Sequence, residues 1–137
     1  MKILLDTQTL LWSLYQGNKL PERIASLIQS ESNIVYYSLI SLWEIELKHS
    51  LHPEYLAYSS KDVGRDLEQG NYSELGLKAL HIFTISRLTK IADTPKHNDP
   101  FDHLLMAQAK SEDIILLTTD SKMRYYDEKC IMVYNAL

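Results

Sequence analysis

His97–Ala109, HNDPFDHLLMAQA, reads as the marked start of a half-buried helix. Asp99 suits the N-cap, where a carboxylate accepts hydrogen bonds from the free N–H groups of the first turn. Pro100 suits the first helical position, where a missing donor costs nothing. Asp102 then falls at N3, inside the turn where the helix dipole favours negative charge. Phe101, Leu104, Leu105 and Ala109 recur at helical spacing, so one face turns inward. Such a helix presents two carboxylates at its opening. Capping alone would explain Asp99; for Asp102 the meaning depends on which other acids meet it.

Downstream, Ile114–Thr118 is the clearest strand in the chain, and it ends at Asp120. Cys130–Tyr134 forms a last, shorter strand. Far upstream, Lys2–Leu5 is another short apolar run that ends in an acid, Asp6, as a buried parallel strand would. Thr7-Gln8-Thr9 turns the chain into a helix over Leu10–Tyr15, which Gly17-Asn18 stops. Pro21 opens a second helix carrying Ile24, Leu27 and Ile28. Ile34–Tyr37 is strand-like, and Ser38 or Ser41 caps a helix from Leu39 to about Ser50. Between His52 and Gly76 the pattern weakens to a helix around Lys61–Gln69. A short strand over Tyr72–Leu77, a helix over Ala79–Leu88 and a loop at Asp93-Thr94-Pro95 lead back to His97. Strands alternate with helices, which predicts an α/β/α sandwich with a mostly parallel central sheet.

The 137 residues suit one domain, 1–137, with no repeat or linker. A single cysteine, Cys130, allows no internal disulfide and fits a reducing compartment. The run after Met1 is too short for a signal peptide, and no stretch approaches a membrane span. The expected location is the cytoplasm. A net charge of −4 supplies no basic surface of the kind that marks most nucleic-acid binders. That count misleads, however, if several acids gather around a divalent ion.

In an open α/β sheet, ligands bind at the carboxyl ends of the strands, and parallel strands present those ends on one edge. Asp6 and Asp120 therefore belong on the same edge, within reach of Asp102. On the helix after Ile34–Tyr37, Ile40, Trp43, Leu47 and Leu51 share an arc, with Glu44 at its border and Glu46 pointing further out. An ion pair with Lys48 at i,i+4 is the purely structural role open to Glu44. Gathered carboxylates raise one another's pKa and call for a positive counter-charge. Oxygen ligands without zinc-type Cys or His spacing suit Mg²⁺ or Mn²⁺. The chemistry such a site supports is phosphodiester hydrolysis by a metal-activated water.

Four segments taken together, MKILLDTQTLLW, SLISLWEIELK, HNDPFDHLLMAQA and LLTTD, in this order and at these separations, resemble the PIN-domain ribonucleases. Within that family they look most like the VapC toxins of bacterial toxin–antitoxin pairs. The likeness spans nearly the whole chain and is weakest between His52 and Lys96. It implies a parallel-sheet α/β/α fold and a metal-dependent endoribonuclease that is commonly a homodimer. It also implies an antitoxin that blocks the site, and cleavage leaving a 3′-hydroxyl and a 5′-phosphate. Carried over by position, the catalytic acids fall on Asp6, Glu44, Asp102 and Asp120, with metal at Asp6, Asp102 and Asp120. Asp99 is an accessory of the DPFD branch, while Thr7 and Thr118 match hydroxyl residues that steady the site. Gln8 stands where relatives often carry His, and His103 where they often carry Arg; both bear on how RNA is held.

Lys48, His49, Lys96, His97, His103, Lys122 and Arg124 lie near these acids in sequence and are candidate phosphate contacts. Two other readings compete. A signalling receiver domain wants paired acids after its first strand, an acceptor Asp after its third and a late Lys. Here Thr7-Gln8 follows Asp6, and no mid-chain apolar strand ends in Asp. A PIN fold that binds RNA or a partner without cutting would not need all four acids, and all four are present.

Overall fold

The computed structural model describes residues 1–137. Its centre is a five-stranded sheet, with every neighbouring pair parallel, in the order β3-β2-β1-β4-β5. The strands are β1 (Lys2–Leu5), β2 (Ile34–Ser38), β3 (Ser73–Leu75), β4 (Ile115–Thr118) and β5 (Ile131–Val133). The helices are α1 (Thr7–Tyr15), α2 (Glu22–Gln29), α3 (Leu39–Leu51), α4 (Ser60–Gln69), α5 (Ala79–Thr84) and α6 (Pro100–Glu112). The chain leaves β1 toward β2 and β3, then returns to its other side for β4 and β5. Strand order thus reverses between β1 and β4, and the crevice at such a point is where open α/β sheets bind ligands.

Alternation along the strands divides the core into two layers. Ile3 and Leu5 of β1 and Leu117 of β4 pack with Leu10, Leu20, Ile24, Ile45, Val63 and Leu67 on one face. Leu4 and Leu116 pack with Leu105, Met106 and Ala109 of α6 on the other. The sandwich read from the sequence is therefore the observed architecture. No helix is long and apolar enough to cross a membrane.

Several boundaries move, each for a local reason. α1 begins at Thr7, three residues before the expected apolar stretch, because Asp6 caps it by accepting from the Thr9 N–H at 2.8 Å. Ser38, not Ser41, caps α3 through the Ile40 N–H. The predicted helix over Ala79–Leu88 is α only to Thr84 and then tightens into a 3-10 turn, Ile85–Arg87.

The larger correction concerns α3. Of the arc Ile40, Trp43, Leu47 and Leu51, only Ile40 is buried; the other three are exposed. The inward face consists of Ile40, Ser41, Glu44 and Ile45. Apolar residues lie around the whole circumference of this helix, so periodicity could not single out a face. Packing against α4 and α6 did. Ser38 also donates to Gln108 Oε1 at 2.6 Å, both groups being buried, and so ties the start of α3 to α6.

Candidate functional site

At the carboxyl end of the sheet a cleft of about 540 Å³ is lined by Asp6, Thr7, Gln8, Glu44, Lys48, Asp99, Asp102 and Asp120, among others. The four acids singled out from the sequence therefore share one cavity, reached from four separate segments. Asp6 follows β1, Asp120 follows β4, Asp102 opens α6, and Glu44 sits one turn into α3.

Local structure sets each carboxylate. Asp6 is buried; one oxygen caps α1 and the other accepts from the Thr118 hydroxyl. The same Thr118 oxygen accepts from the Asp120 N–H at 3.0 Å, so one side chain joins the ends of β1 and β4. Asp120 Oδ1 in turn accepts from the Lys122 N–H, starting the 3-10 turn Ser121–Tyr125. Asp99 is the N-cap of α6, accepting from the N–H groups of Phe101 and Asp102. That leaves Asp102 free of capping duty. Glu44 Oε1 accepts from Thr7 Oγ1 at 2.6 Å, and Oε2 pairs with Lys48. The structural ion pair is present, yet Glu44 also faces the cleft.

Burial raises the Asp6 carboxyl above its ordinary value against the pull of hydrogen bonds from Thr118 and Thr9, and the Glu44 charge adds to it. Asp102 is pushed up to about 6, chiefly by burial. Its hydrogen bond to His97 opposes the rise, and the charges of Asp99 and Asp120 add to it. Both shifts favour the neutral carboxyl, as burial and neighbouring like charges do.

Of the candidate phosphate contacts, only Lys48 lines the cleft. Lys96, Lys122 and Arg124 are exposed outside it, and His49 is half-buried, bonded to the Leu56 carbonyl. His97 and His103 are not surface groups awaiting a phosphate. His97 is buried with Nε2 2.8 Å from Asp102 Oδ2, and His103 is half-buried with Nε2 2.7 Å from the His97 carbonyl. His52 and Tyr55, which sequence pattern did not single out, stand on the cleft wall.

Donor atoms of His97, Asp102 and Asp120 lie within 4.8 Å of one another. Asp6 is outside this trio, although it lines the same cleft. Carboxylates gathered in one cleft, with Lys48 the one lysine or arginine on its wall, fit a divalent ion of the Mg²⁺ or Mn²⁺ kind. Metal that binds only the folded chain stabilises it by RT ln(1 + [L]/Kd), about 1.4 kcal/mol at ten times Kd. Melting should therefore rise by roughly 3–8 °C with Mn²⁺ in the wild type. Asp102→Asn should lose most of that shift yet melt at or above the wild type in EDTA, since it removes a charge from the crowd.

The pH dependence has a definite sign. The folded pKa of Asp102 lies above the ordinary 3.8, so its contribution to stability is full below 3.8 and lost as pH rises through about 6. In EDTA the wild type should gain on Asp102→Asn as pH falls from 7 to 4. Parallel melting curves across that range would remove Asp102 from the cluster.

A family model described as the PIN domain matches residues 3–129. No curated protein matches the sequence significantly. Among solved structures, VapBC2 from Rickettsia felis bound to a promoter DNA fragment is similar with a TM-score of 0.67 at 17% identity, covering 100% of both chains. DNA-bound VapBC from Salmonella typhimurium gives a TM-score of 0.66 at 19% identity, covering 97% of this chain and 98% of the other. A toxin–antitoxin complex from Klebsiella pneumoniae gives 0.56 at 15%, covering 97% and 98%. At such identities the likeness speaks for the fold.

Proposed function

The chain belongs to the PIN-domain family, and from that premise we propose that it is a metal-dependent endoribonuclease acting as the toxin of a toxin–antitoxin pair. The observation that carries the reading is the single cleft at the strand-order reversal shared by Asp6, Glu44, Asp102 and Asp120. Its likeness to chains of VapBC and toxin–antitoxin complexes supports the assignment to the toxin side. In this reading the cognate antitoxin covers the cleft, the toxin pairs with a second copy of itself, and both work in the cytoplasm.

Asp6, Asp102 and Asp120 would hold Mg²⁺ or Mn²⁺. Such an ion supplies an acidified water and neutralises charge on the leaving oxygen. The chain's own groups do the rest. Glu44 accepts the proton of the attacking water, steadied at one oxygen by Thr7. Thr118 holds the Asp6 and Asp120 ends of two strands in fixed relation. Lys48, on the rim beside Glu44, offers a cation to the RNA backbone, with Lys96, Lys122 and Arg124 on the exposed approaches. Gln8 lines the cleft, so the departure there acts on how RNA is held; His103 is bonded to the His97 carbonyl and takes no phosphate.

Purified protein with Mg²⁺ or Mn²⁺ should cleave structured RNA, leave 3′-hydroxyl ends, and stop on addition of EDTA. RNA that is bound but left intact in either metal would instead favour a PIN fold that binds without cutting.

A further inference from the structure

Behind Asp102 lies a buried chain of polar side chains that the proposed chemistry does not use. His97 Nδ1 is 3.0 Å from the Tyr126 hydroxyl, and His97 Nε2 is 2.8 Å from Asp102 Oδ2. His103 Nε2 is 2.7 Å from the His97 carbonyl and 3.2 Å from the same Tyr126 hydroxyl. His97 and Tyr126 are both buried.

With a neutral His97 imidazole, donor counting gives this chain one direction. A carbonyl only accepts, so His103 carries its proton on Nε2 and shares it between the His97 carbonyl and the Tyr126 oxygen. Tyr126, accepting there, turns its own proton to His97 Nδ1. His97 then carries its proton on Nε2, where the acceptor is Asp102 Oδ2. The imidazole is held at both nitrogens, and its ring plane is set by a residue 29 positions away. Asp102 is held in turn at one oxygen, while the other accepts no protein hydrogen bond in a side chain that lines the cleft.

We propose that His97, oriented by Tyr126, is a positioning residue that anchors one oxygen of Asp102 so that the other is presented, beside Asp120, to a divalent cation. Such outer partners of ligating groups fix geometry before metal arrives, and losing one typically costs 10–100-fold in affinity. The inference rests on the metal-dependent reading of the same cleft. His97 has the further consequence of explaining why Asp102 needs no capping role: Asp99 takes the backbone donors of α6 and leaves Asp102 to His97.

The test titrates Mn²⁺ alone into the purified proteins, following the electron paramagnetic resonance signal of free Mn²⁺, with melting curves in EDTA beside it. His97→Phe should bind Mn²⁺ about 10–100-fold more weakly than the wild type. His97→Gln, whose amide nitrogen reaches the place of Nε2, should retain most of the affinity. Tyr126→Phe, which removes only the hydroxyl, should fall between them, and it carries the test if His97→Phe does not fold. Where RNA is cleaved, the loss should appear in the Mn²⁺ concentration needed for half-maximal rate and not in kcat at saturating Mn²⁺. Wild-type affinity in Tyr126→Phe and His97→Phe overturns the positioning role. Equal loss in His97→Gln and His97→Phe overturns the donor assignment. A wild type that binds no Mn²⁺ removes the metal-dependent reading itself, and this inference falls with it.

Discussion

Asp6→Asn, Asp102→Asn and Asp120→Asn should each lower RNA cleavage by at least about a hundredfold, since losing a ligand costs more than the 10–100-fold typical of losing an outer partner. The three should differ in what else they change. Asp6 is buried and bonded at both oxygens, so Asn at this position must turn its amide group toward either Thr9 N–H or the Thr118 hydroxyl. Toward Thr9 the amide nitrogen sets donor against donor, and toward Thr118 it leaves that buried hydroxyl's proton without its acceptor, so Asp6→Asn should lower melting as well as activity. Asp102 has one oxygen bonded to His97, and an Asn carbonyl can occupy the same place. Its loss should be confined to metal and catalysis. Asp120 Oδ1 accepts only the Lys122 N–H, which an Asn carbonyl also serves. Cleavage assays and melting curves on the three proteins check this ordering. Full activity in Asp102→Asn would take that residue out of the site.

Glu44→Gln should abolish cleavage and cellular toxicity, while Glu46→Gln should be close to neutral in both. The two residues are neighbours on α3 in sequence and opposites in surroundings. Glu44 is buried on the inward face, in the cleft, holding Thr7 and Lys48. Glu46 is exposed and accepts from the hydroxyls of Ser60 and Ser50. Removing a general base typically costs about 10²–10⁴ in rate. Gln at position 44 also leaves Lys48 without its carboxylate, so Lys48→Met is the control that separates the base from the ion pair. Equal effects of Glu44→Gln and Glu46→Gln on cleavage would mean that Glu44 acts through helix stability alone.

Much of this site is local, and what is local is legible in residue order. Apolar runs ending in an acid place Asp6 and Asp120 at strand ends, because a buried parallel strand is a short continuous apolar segment and its end is where polar groups return. Asp99-Pro100 announces a helix start, and the structure caps α6 with Asp99 at that position. Parallel pairing then brings those ends to one edge for any order of strands. Three features needed the folded chain. The inward face of α3 was settled by its neighbours, since Leu39, Ile40, Trp43, Ile45 and Leu47 surround the helix and burial of any arc was compatible with their spacing. Which basic residue reaches the cleft was settled by how α3 and the turn after β4 are placed, which leaves Lys48 on the wall and Lys96, Lys122 and Arg124 outside it. His97 reads in sequence as a candidate phosphate contact just before a cap. Its burial against Asp102 depends on Tyr126, a hydroxyl 29 residues downstream, and no local rule connects the two, because a hydrogen bond is decided by three-dimensional distance and not by separation along the chain.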